Sequence, residues 1–473
     1  MIGLLRRGRA DAVAVAAPAV LTLLVGGIQL GRAPLWRDEL ATWSAATRPL
    51  RDLWRMLGTI DAVSGPYYAF MHGWIAVSGD SAVSLRLPSL LAMAGAAALT
   101  ARLGTRLFGP RTGLVAGLLF AVVPSTSRYG QEARGYAFAT LFAVLATLLL
   151  VGAADRPRRF AAYGLALVGV GLSNLVALLL VLGHAAAPRR RTLLPWAAAV
   201  AGAGVALSPL VLLGRGQRGV QLDWVARPGV DDLLNLPGSV LQAAAVGGAL
   251  LVLAALGWAA SWGSRWSRVL ALSVLLPAAV LFLGGRLGPL WVPRYLVFCV
   301  PFACLLAAVA LRRLRLPAAV TIVVLVAALG APAQAALRDT HEWPRSAPVD
   351  YPAAVAVIRA GQQPGDGIVY EPRSGWKMLD VAVARELGPS APRDVLVAST
   401  ATARGELRPT ECADPAACLS RAAAPRIWLL TMGDDPDPLA TVPGAKGAAL
   451  RSAYTTQQVW HEPGITVALL VRT

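Results

Sequence analysis

The chain has 473 residues, 56% of them hydrophobic and only 15% charged, with a mean hydropathy of +0.57 and a formal charge of +18. A soluble globular surface does not tolerate that balance, so the composition places the chain in a bilayer. The charge does not indicate nucleic-acid binding: residues 1–337 hold 30 Lys/Arg against 11 Asp/Glu, while residues 338–473 hold 14 against 15. The basic excess sits in short loops of the apolar part, where arginines set topology, and no basic stripe with interleaved aromatics is present.

In chain order, apolar runs of roughly 20 residues, the length that crosses a bilayer, fall near 13–30, 83–105, 112–128, 135–153, 192–213, 239–261, 268–286, 295–311 and 317–337. Residues 159–188 form a longer apolar stretch interrupted by Ser173-Asn174, with Arg156, Arg158 and Arg159 before it and Arg189, Arg190 and Arg191 after it. If both arginine clusters are cytoplasmic, this stretch is a hairpin of two short helices, and the total becomes about eleven spans. Arg6/Arg7/Arg9, Arg102/Arg106/Arg111, Arg265/Arg268 and Arg312/Arg313/Arg315 then fall on the same side. The N-terminus is expected in the cytoplasm, its apolar run serving as a retained anchor rather than a cleaved signal. The loop around residue 38, the Ser125–Tyr136 loop, the 214–238 and 287–294 loops and the C-terminal region share the outer face.

Beyond Leu337 the apolar density falls and turn residues rise, which predicts two domains, 1–337 in the membrane and 338–473 outside it. Asp350–Gly361 reads as a helix, Gly367–Tyr370 and Ile427–Thr431 as strands, and Val459–His461 with Thr466–Val471 as a closing pair, so the second domain is expected to be a small α/β or α+β layer. Cys412 and Cys418 are its only cysteines, and outside the cell a disulfide across that short loop is expected. Cys299 and Cys304 lie within a span and read as packing residues.

Chemistry-bearing residues concentrate in a few outer segments. Asp38 and Glu39 stand side by side in Trp36-Arg37-Asp38-Glu39, just after the first span, where carboxylates are costly to desolvate unless they serve a site. Leu50–Asp61 and Pro66–Val77 read as interfacial helices. Leu85-Arg86-Leu87-Pro88-Ser89 opens a span, and Arg128-Tyr129-Gly130-Gln131-Glu132-Ala133-Arg134-Gly135-Tyr136 lies between two spans. The four histidines, His72, His184, His341 and His461, fall in separate segments without metal-ligand spacing. No nucleotide-binding glycine loop is found; Gly26-Gly27 and Gly247-Gly248 lie in apolar spans and read as close helix packing.

Taken in order, Trp36-Arg37-Asp38-Glu39, Pro66-Tyr67-Tyr68, Gly79-Asp80-Ser81 with Leu85-Arg86-Leu87-Pro88-Ser89, Arg106-Leu107-Phe108-Gly109, Pro124 with Tyr129, Gln131-Glu132-Ala133-Arg134 and Tyr136-Ala137, and Pro293-Arg294-Tyr295 resemble the GT-C superfamily of polyprenyl-phosphate-sugar-dependent glycosyltransferases. The resemblance is to the family-39-like branch related to protein O-mannosyltransferases and lipid A aminoarabinose transferases. It implies an α-helical polytopic membrane protein with about eleven transmembrane helices and a small extracytoplasmic C-terminal domain. Two departures stand out: the branch usually shows His-Pro-Pro where this chain has Val63-Ser64-Gly65-Pro66, and Thr-His-Tyr where it has Ser173-Asn174-Leu175.

What the resemblance implies for function is transfer of a mannose- or pentose-like sugar from a polyprenyl-phosphate donor to an extracytoplasmic hydroxyl with inversion. The acceptor is a glycan, lipid or protein left open by the sequence. Asp38 is the implied general base with Glu39 beside it. Arg134, Arg86 and Arg294 are candidates for holding the donor phosphate, with Tyr67, Tyr129 and Tyr295 as hydroxyl partners and Arg37, Gln131 and Glu132 as further site residues. No cofactor is identified, and a divalent metal ion is left open. The alternatives are a non-catalytic scaffold that keeps the fold, suggested by the two missing histidines, and a transporter of lipid-linked substrates. A transporter would carry ionisable residues near mid-span, where this chain has mostly Ala, Leu, Val and Gly.

Overall fold

The computed structural model describes residues 2–153, 158–342, 345–373 and 376–473; the side chains of residues 2–11 and of residue 220 are not described. Arg156, counted above among the cytoplasmic arginines, lies outside the described residues. The chain divides into two compact units, one comprising Met1–Leu30, Asp61–Phe70 and Val83–Leu337 and the other Gly31–Ile60, Met71–Ala82 and Arg338–Thr473.

Up to residue 221 the helices are α1 (Ile2–Gly27), α2 (Arg37–Ala46), α3 (Leu50–Thr59), α4 (Gly65–Ser78), α5 (Ala82–Phe108), α6 (Pro110–Val122), α7 (Pro124–Gly130), α8 (Tyr136–Ala153), α9 (Arg159–Ser173), α10 (Leu180–His184) and α11 (Arg190–Gln221). Among the described residues, six helices are long and apolar enough to cross a membrane: Ala82–Phe108, Tyr136–Ala153, Arg190–Gly219, Arg265–Leu287, Pro293–Arg313 and Leu316–Ala336. Five shorter apolar helices, Ala12–Gly27, Pro110–Val122, Arg159–Ser173, Leu175–His184 and Ala244–Ala259, fall on the remaining expected segments. Leu165, Leu194, Val205, Leu256 and Val324 stand more than half exposed on these helices, an apolar surface that belongs in lipid. The chain is a multi-helix integral membrane protein.

Local chemistry sets the joints of this unit. Gly109, at φ +100°, turns the chain from α5 into α6, whose first residue is Pro110, a position where the missing N–H costs nothing. A side chain on Gly113 would run into the Ala101 carbonyl and Thr105, so α5 and α6 meet through glycine. At the predicted hairpin break, α9 ends on Ser173; Asn174 is extended, and its side-chain oxygen accepts the Val176 N–H at 2.9 Å, opening a short 3-10 turn over Leu175–Leu179 before α10. A Cβ on Gly135 would lie 2.5 Å from the Ser173 carbonyl oxygen, so the start of α8 abuts the end of α9. Phe120, Phe298, Phe302, Met93 and Leu119 are fully buried in the main core.

Two expectations are corrected. Half of the expected Ser125–Tyr136 loop is helical, because Pro124 ends α6 and starts α7 rather than opening a coil. The span expected over 192–213 continues as helix to Gln221, and the 214–238 loop contains the short helices Val230–Leu234 and Leu236–Leu241. Hydropathy marks where a helix leaves lipid, not where its hydrogen bonding stops.

The second unit contains a five-stranded mixed sheet. Its strands are β1 (Gly367–Glu371), β2 (Arg393–Asp394), β5 (Arg426–Met432), β6 (Tyr454–Glu462) and β7 (Ile465–Arg472), in the order β2-β1-β5-β7-β6; β3 (Val397–Ser399) and β4 (Thr410–Glu411) form a separate ribbon. β1 runs parallel to β2 and β5, while β7 is antiparallel to β5 and to β6. The Tyr351–Gly361 helix starts where Asp350 accepts the Ala353 N–H at 3.0 Å. Trp428, buried on β5, donates to Asp366 at 2.8 Å, and the Arg426 guanidinium grips both oxygens of that carboxylate at 2.9 and 2.6 Å. Cys412 and Cys418 are joined in a disulfide with Cα atoms 6.6 Å apart.

Candidate active site

The carboxylate pair lies in the first turn of α2, in the second unit. Trp36 stands at the N-cap, where its indole offers no oxygen to the helix N–H groups. Glu39 fills that need: fully buried, it accepts the Trp36 N–H at 3.4 Å, reaching back as in a capping box. The His341 ring lies 3.7 Å from the same carboxylate. Glu342 accepts the Arg37 N–H at 3.4 Å, and its other oxygen is 3.7 Å from the Arg37 guanidinium. Burial pushes the Glu342 carboxyl above the usual range; Arg37 opposes that shift and the nearby Asp38 charge adds to it. Asp38 itself is half-buried, and its carbonyl accepts the Thr42 hydroxyl at 3.1 Å.

The first unit holds a cavity of about 310 Å³ lined by Ser64 and Tyr67 of the 61–70 segment, Arg134 and Tyr136, Ser173 and Asn174, Tyr295, and one face of α11. Val211, Gly214, Arg215, Arg218 and Gln221 line it from α11, with Leu222 just past its end, spacings of three and four that bring one helical stripe to the opening. Among the described residues the lining includes three arginines, Arg134, Arg215 and Arg218, and no carboxylate. Behind Arg134 lies Asp61, 3% exposed and in a left-handed backbone conformation at φ +55°. Asp61 accepts from the Tyr68 hydroxyl, from Gln221 and from Ser64, and its carboxylate is 4.0 Å from the Arg134 guanidinium. Arg134 donates to the Tyr68 hydroxyl at 2.8 Å, and burial pushes that hydroxyl's pKa up, keeping it a neutral link.

The remaining expected residues are placed as follows. Tyr67 and Tyr295 line the cavity; Arg86, Tyr129, Gln131, Glu132 and Arg294 do not. Arg294 donates to the Tyr136 hydroxyl at 3.1 Å and lies over the Trp224 ring at 5.4 Å, so it reaches the cavity through Tyr136. Arg86, fully buried, donates to the Leu30 carbonyl at 2.9 Å. Gln131 donates to the Gly26 and Ile28 carbonyls at 2.8 and 2.9 Å; like Arg86, it satisfies carbonyls at and beyond the end of α1. Glu132 pairs with Arg128 at 2.9 Å, both buried, and Tyr129 packs edge-on against Tyr136 at 5.5 Å. His72 hydrogen-bonds the Ala46 carbonyl at 2.9 Å. No group of three or more His, Cys, Asp or Glu among the described residues is placed to hold a metal ion.

Sequence reasoning weighed His341 only as a metal ligand and did not single out Glu342, Asp61, Arg215 or Arg218. A signal existed for the first two: an acidic residue and a histidine follow the last apolar helix at once, as Asp38-Glu39 follows the first. Arg215 and Arg218, three apart, continue the face of a helix whose expected span stopped at residue 213, eight residues short of Gln221.

Residues 65–213 match the family model described as dolichyl-phosphate-mannose-protein mannosyltransferase. Comparison with curated protein sequences finds no match. The fold is similar to that of ArnT from Cupriavidus metallidurans in the apo state, with a TM-score of 0.62 and 14% identity over 96% of this chain and 97% of that one. The same protein bound to undecaprenyl phosphate gives 0.58, again at 14% identity and with the same coverage. The chain is thus an integral membrane protein with the fold of the GT-C glycosyltransferases, matching the dolichyl-phosphate-mannose protein mannosyltransferase family over residues 65–213.

Proposed function

We propose that the chain transfers a sugar, mannose- or pentose-like, from a polyprenyl-phosphate donor to a hydroxyl acceptor on the outer face of the membrane. The observation that carries this reading is the cavity in which Arg134, Arg215 and Arg218 converge without a lining carboxylate. Such a site suits a phosphate held at the edge of the lipid, and the similarly folded ArnT is known with undecaprenyl phosphate bound.

Chemistry assigns the parts. Attack of the acceptor oxygen on the anomeric carbon forms the new glycosidic bond and breaks the bond from that carbon to the phosphate oxygen, inverting the configuration. The acceptor proton goes to Asp38. The electron pair stays with the departing polyprenyl phosphate, which gains negative charge as it leaves, and guanidinium groups stabilise that charge without any proton donor. In this reading the N-terminus is cytoplasmic and residues 338–473 form an extracytoplasmic domain.

Membranes containing the protein are supplied with radiolabelled polyprenyl-phosphate mannose, pentose or aminopentose and scored for labelled acceptor. Transfer from one donor that is lost in Arg134→Ala supports the reading. Binding of donors without transfer, to wild type and to Asp38→Asn alike, favours the non-catalytic scaffold.

A further inference from the structure

We infer that Glu342, 305 residues downstream of Arg37, is a positioning residue for the turn that carries Asp38; the inference rests on the reading of Asp38 as the base. Helix α2 is 10 residues long and has a tryptophan at its N-cap, so its first N–H groups need acceptors from elsewhere. Glu39 supplies one from within the turn. Glu342 supplies another, and it holds Arg37 at two points: one oxygen takes the Arg37 N–H at 3.4 Å, and the second faces the Arg37 guanidinium at 3.7 Å. Both carboxylates sit at the positive end of the helix dipole, where negative charge is stabilising.

Burial makes this grip consequential. Glu342 is 5% exposed, so truncating it removes a buried acceptor from the Arg37 N–H and a counter-charge from the part-buried Arg37 guanidinium. Asp38 is the next residue along the chain, and its carboxylate inherits whatever freedom the turn gains. His341 reinforces the arrangement by packing its ring against Glu39. Two neighbouring residues from after the last apolar helix therefore brace the residues on either side of the base, Glu342 holding Arg37 at two points and His341 meeting Glu39 at one.

The test compares Glu342→Ala, Glu342→Gln and Glu342→Asp with Asp38→Asn in full-length protein, reading kcat and donor KM. Misplacing a catalytic group by about 1 Å costs up to about 100-fold, so Glu342→Ala should lower kcat by roughly 10- to 100-fold while donor KM stays within about twofold. Glu342→Gln keeps an oxygen for the Arg37 N–H and should stay within about threefold of wild type. Glu342→Asp retracts the carboxylate by one methylene and should resemble the alanine variant, which keeps the test alive if Glu342→Ala does not fold. An inactive Asp38→Asn beside a Glu342→Ala and a Glu342→Asp of wild-type kcat overturns the positioning role alone. So does a Gln variant as impaired as Asp. Full turnover in Asp38→Asn overturns the base reading and this role with it.

Discussion

Arg134 donates to the Tyr68 hydroxyl at 2.8 Å while its guanidinium lies 4.0 Å from Asp61. The arginine that lines the cavity is thus braced from behind by a hydroxyl that itself donates to the same aspartate. The brace leaves the guanidinium held at 16% exposure, partly dehydrated before any ligand arrives. A phosphate meeting it has less water to displace and less side-chain freedom to arrest.

That arrangement gives the first prediction. A lysine at 134 keeps the charge but cannot reproduce a planar fork that reaches both Tyr68 and a phosphate oxygen. Arg134→Lys should raise donor KM and lower turnover by about 10-fold, and Arg134→Ala by about 100-fold, as expected for losing a charge-assisted hydrogen bond worth roughly 1.5–3 kcal/mol. Steady-state kinetics with donor varied check this. An Arg134→Lys variant equal to wild type, with Arg218→Lys impaired, would move the phosphate to the α11 wall of the cavity.

Much of the fold was legible because its cause is local. Eleven apolar segments follow from hydropathy, and the break at Ser173-Asn174 follows from an asparagine side chain that competes for backbone N–H groups. The strands at 367 and 427 were readable from apolar β-formers between turns. The site was legible only in part, because its joining contacts are long-range. The position of His341-Glu342 after the last apolar helix marks the pair as notable but does not say that it meets Arg37, and nothing near Arg134 announces Asp61. Arg86 and Gln131 carried charge and polarity in an apolar setting, which reads as a site, yet each is tied to carbonyls at and beyond the end of α1.

Topology is the second prediction. In the proposed reading, the arginine clusters lie in the cytoplasm and residues 338–473 on the outer face. In a cysteine-replaced background, Gln457→Cys, exposed on β6, should react with a membrane-impermeant maleimide in intact cells, and Arg313→Cys should react only after lysis. Labelling in the opposite sense would place the carboxylate turn on the wrong side for an extracytoplasmic acceptor.

The third prediction concerns pH. Burial alone would raise the Asp366 carboxyl, but hydrogen bonds from Arg426, the Gln363 N–H and Trp428 hold it below its ordinary value. A carboxyl lowered in the folded state contributes stability that is full above its unfolded value and is lost as pH falls through the lowered one. Protection factors along β5, referred to the intrinsic exchange rate at each pH, should therefore fall as the pH is taken from 5 to about 3. Asp366→Asn should be destabilised at pH 7 by about 2 kcal/mol, the scale of hydrogen bonds to a charged group, and should show a flatter pH dependence. Parallel pH curves for the two proteins would exclude this carboxylate as the source.

The adjacent carboxylates of α2 should separate in their effects, because the structure gives them different surroundings. Glu39 is fully buried, accepts the Trp36 N–H and lies against His341, so its loss falls mainly on the fold. Glu39→Gln retains a cap oxygen and should cost about 1 kcal/mol of stability, the usual scale of a helix cap, with a modest change in kcat. Asp38 is half-buried in the same turn and is assigned the proton. Asp38→Asn preserves shape while removing the acceptor, and turnover should drop by about 10²- to 10⁴-fold, the usual contribution of a general base, with donor KM little changed. The two measurements that separate the roles are kcat and thermal midpoint in the same detergent. A kinetic collapse confined to Glu39→Gln, with Asp38→Asn active, would transfer the proton to Glu39 and make its cap a secondary consequence of where the base has to sit.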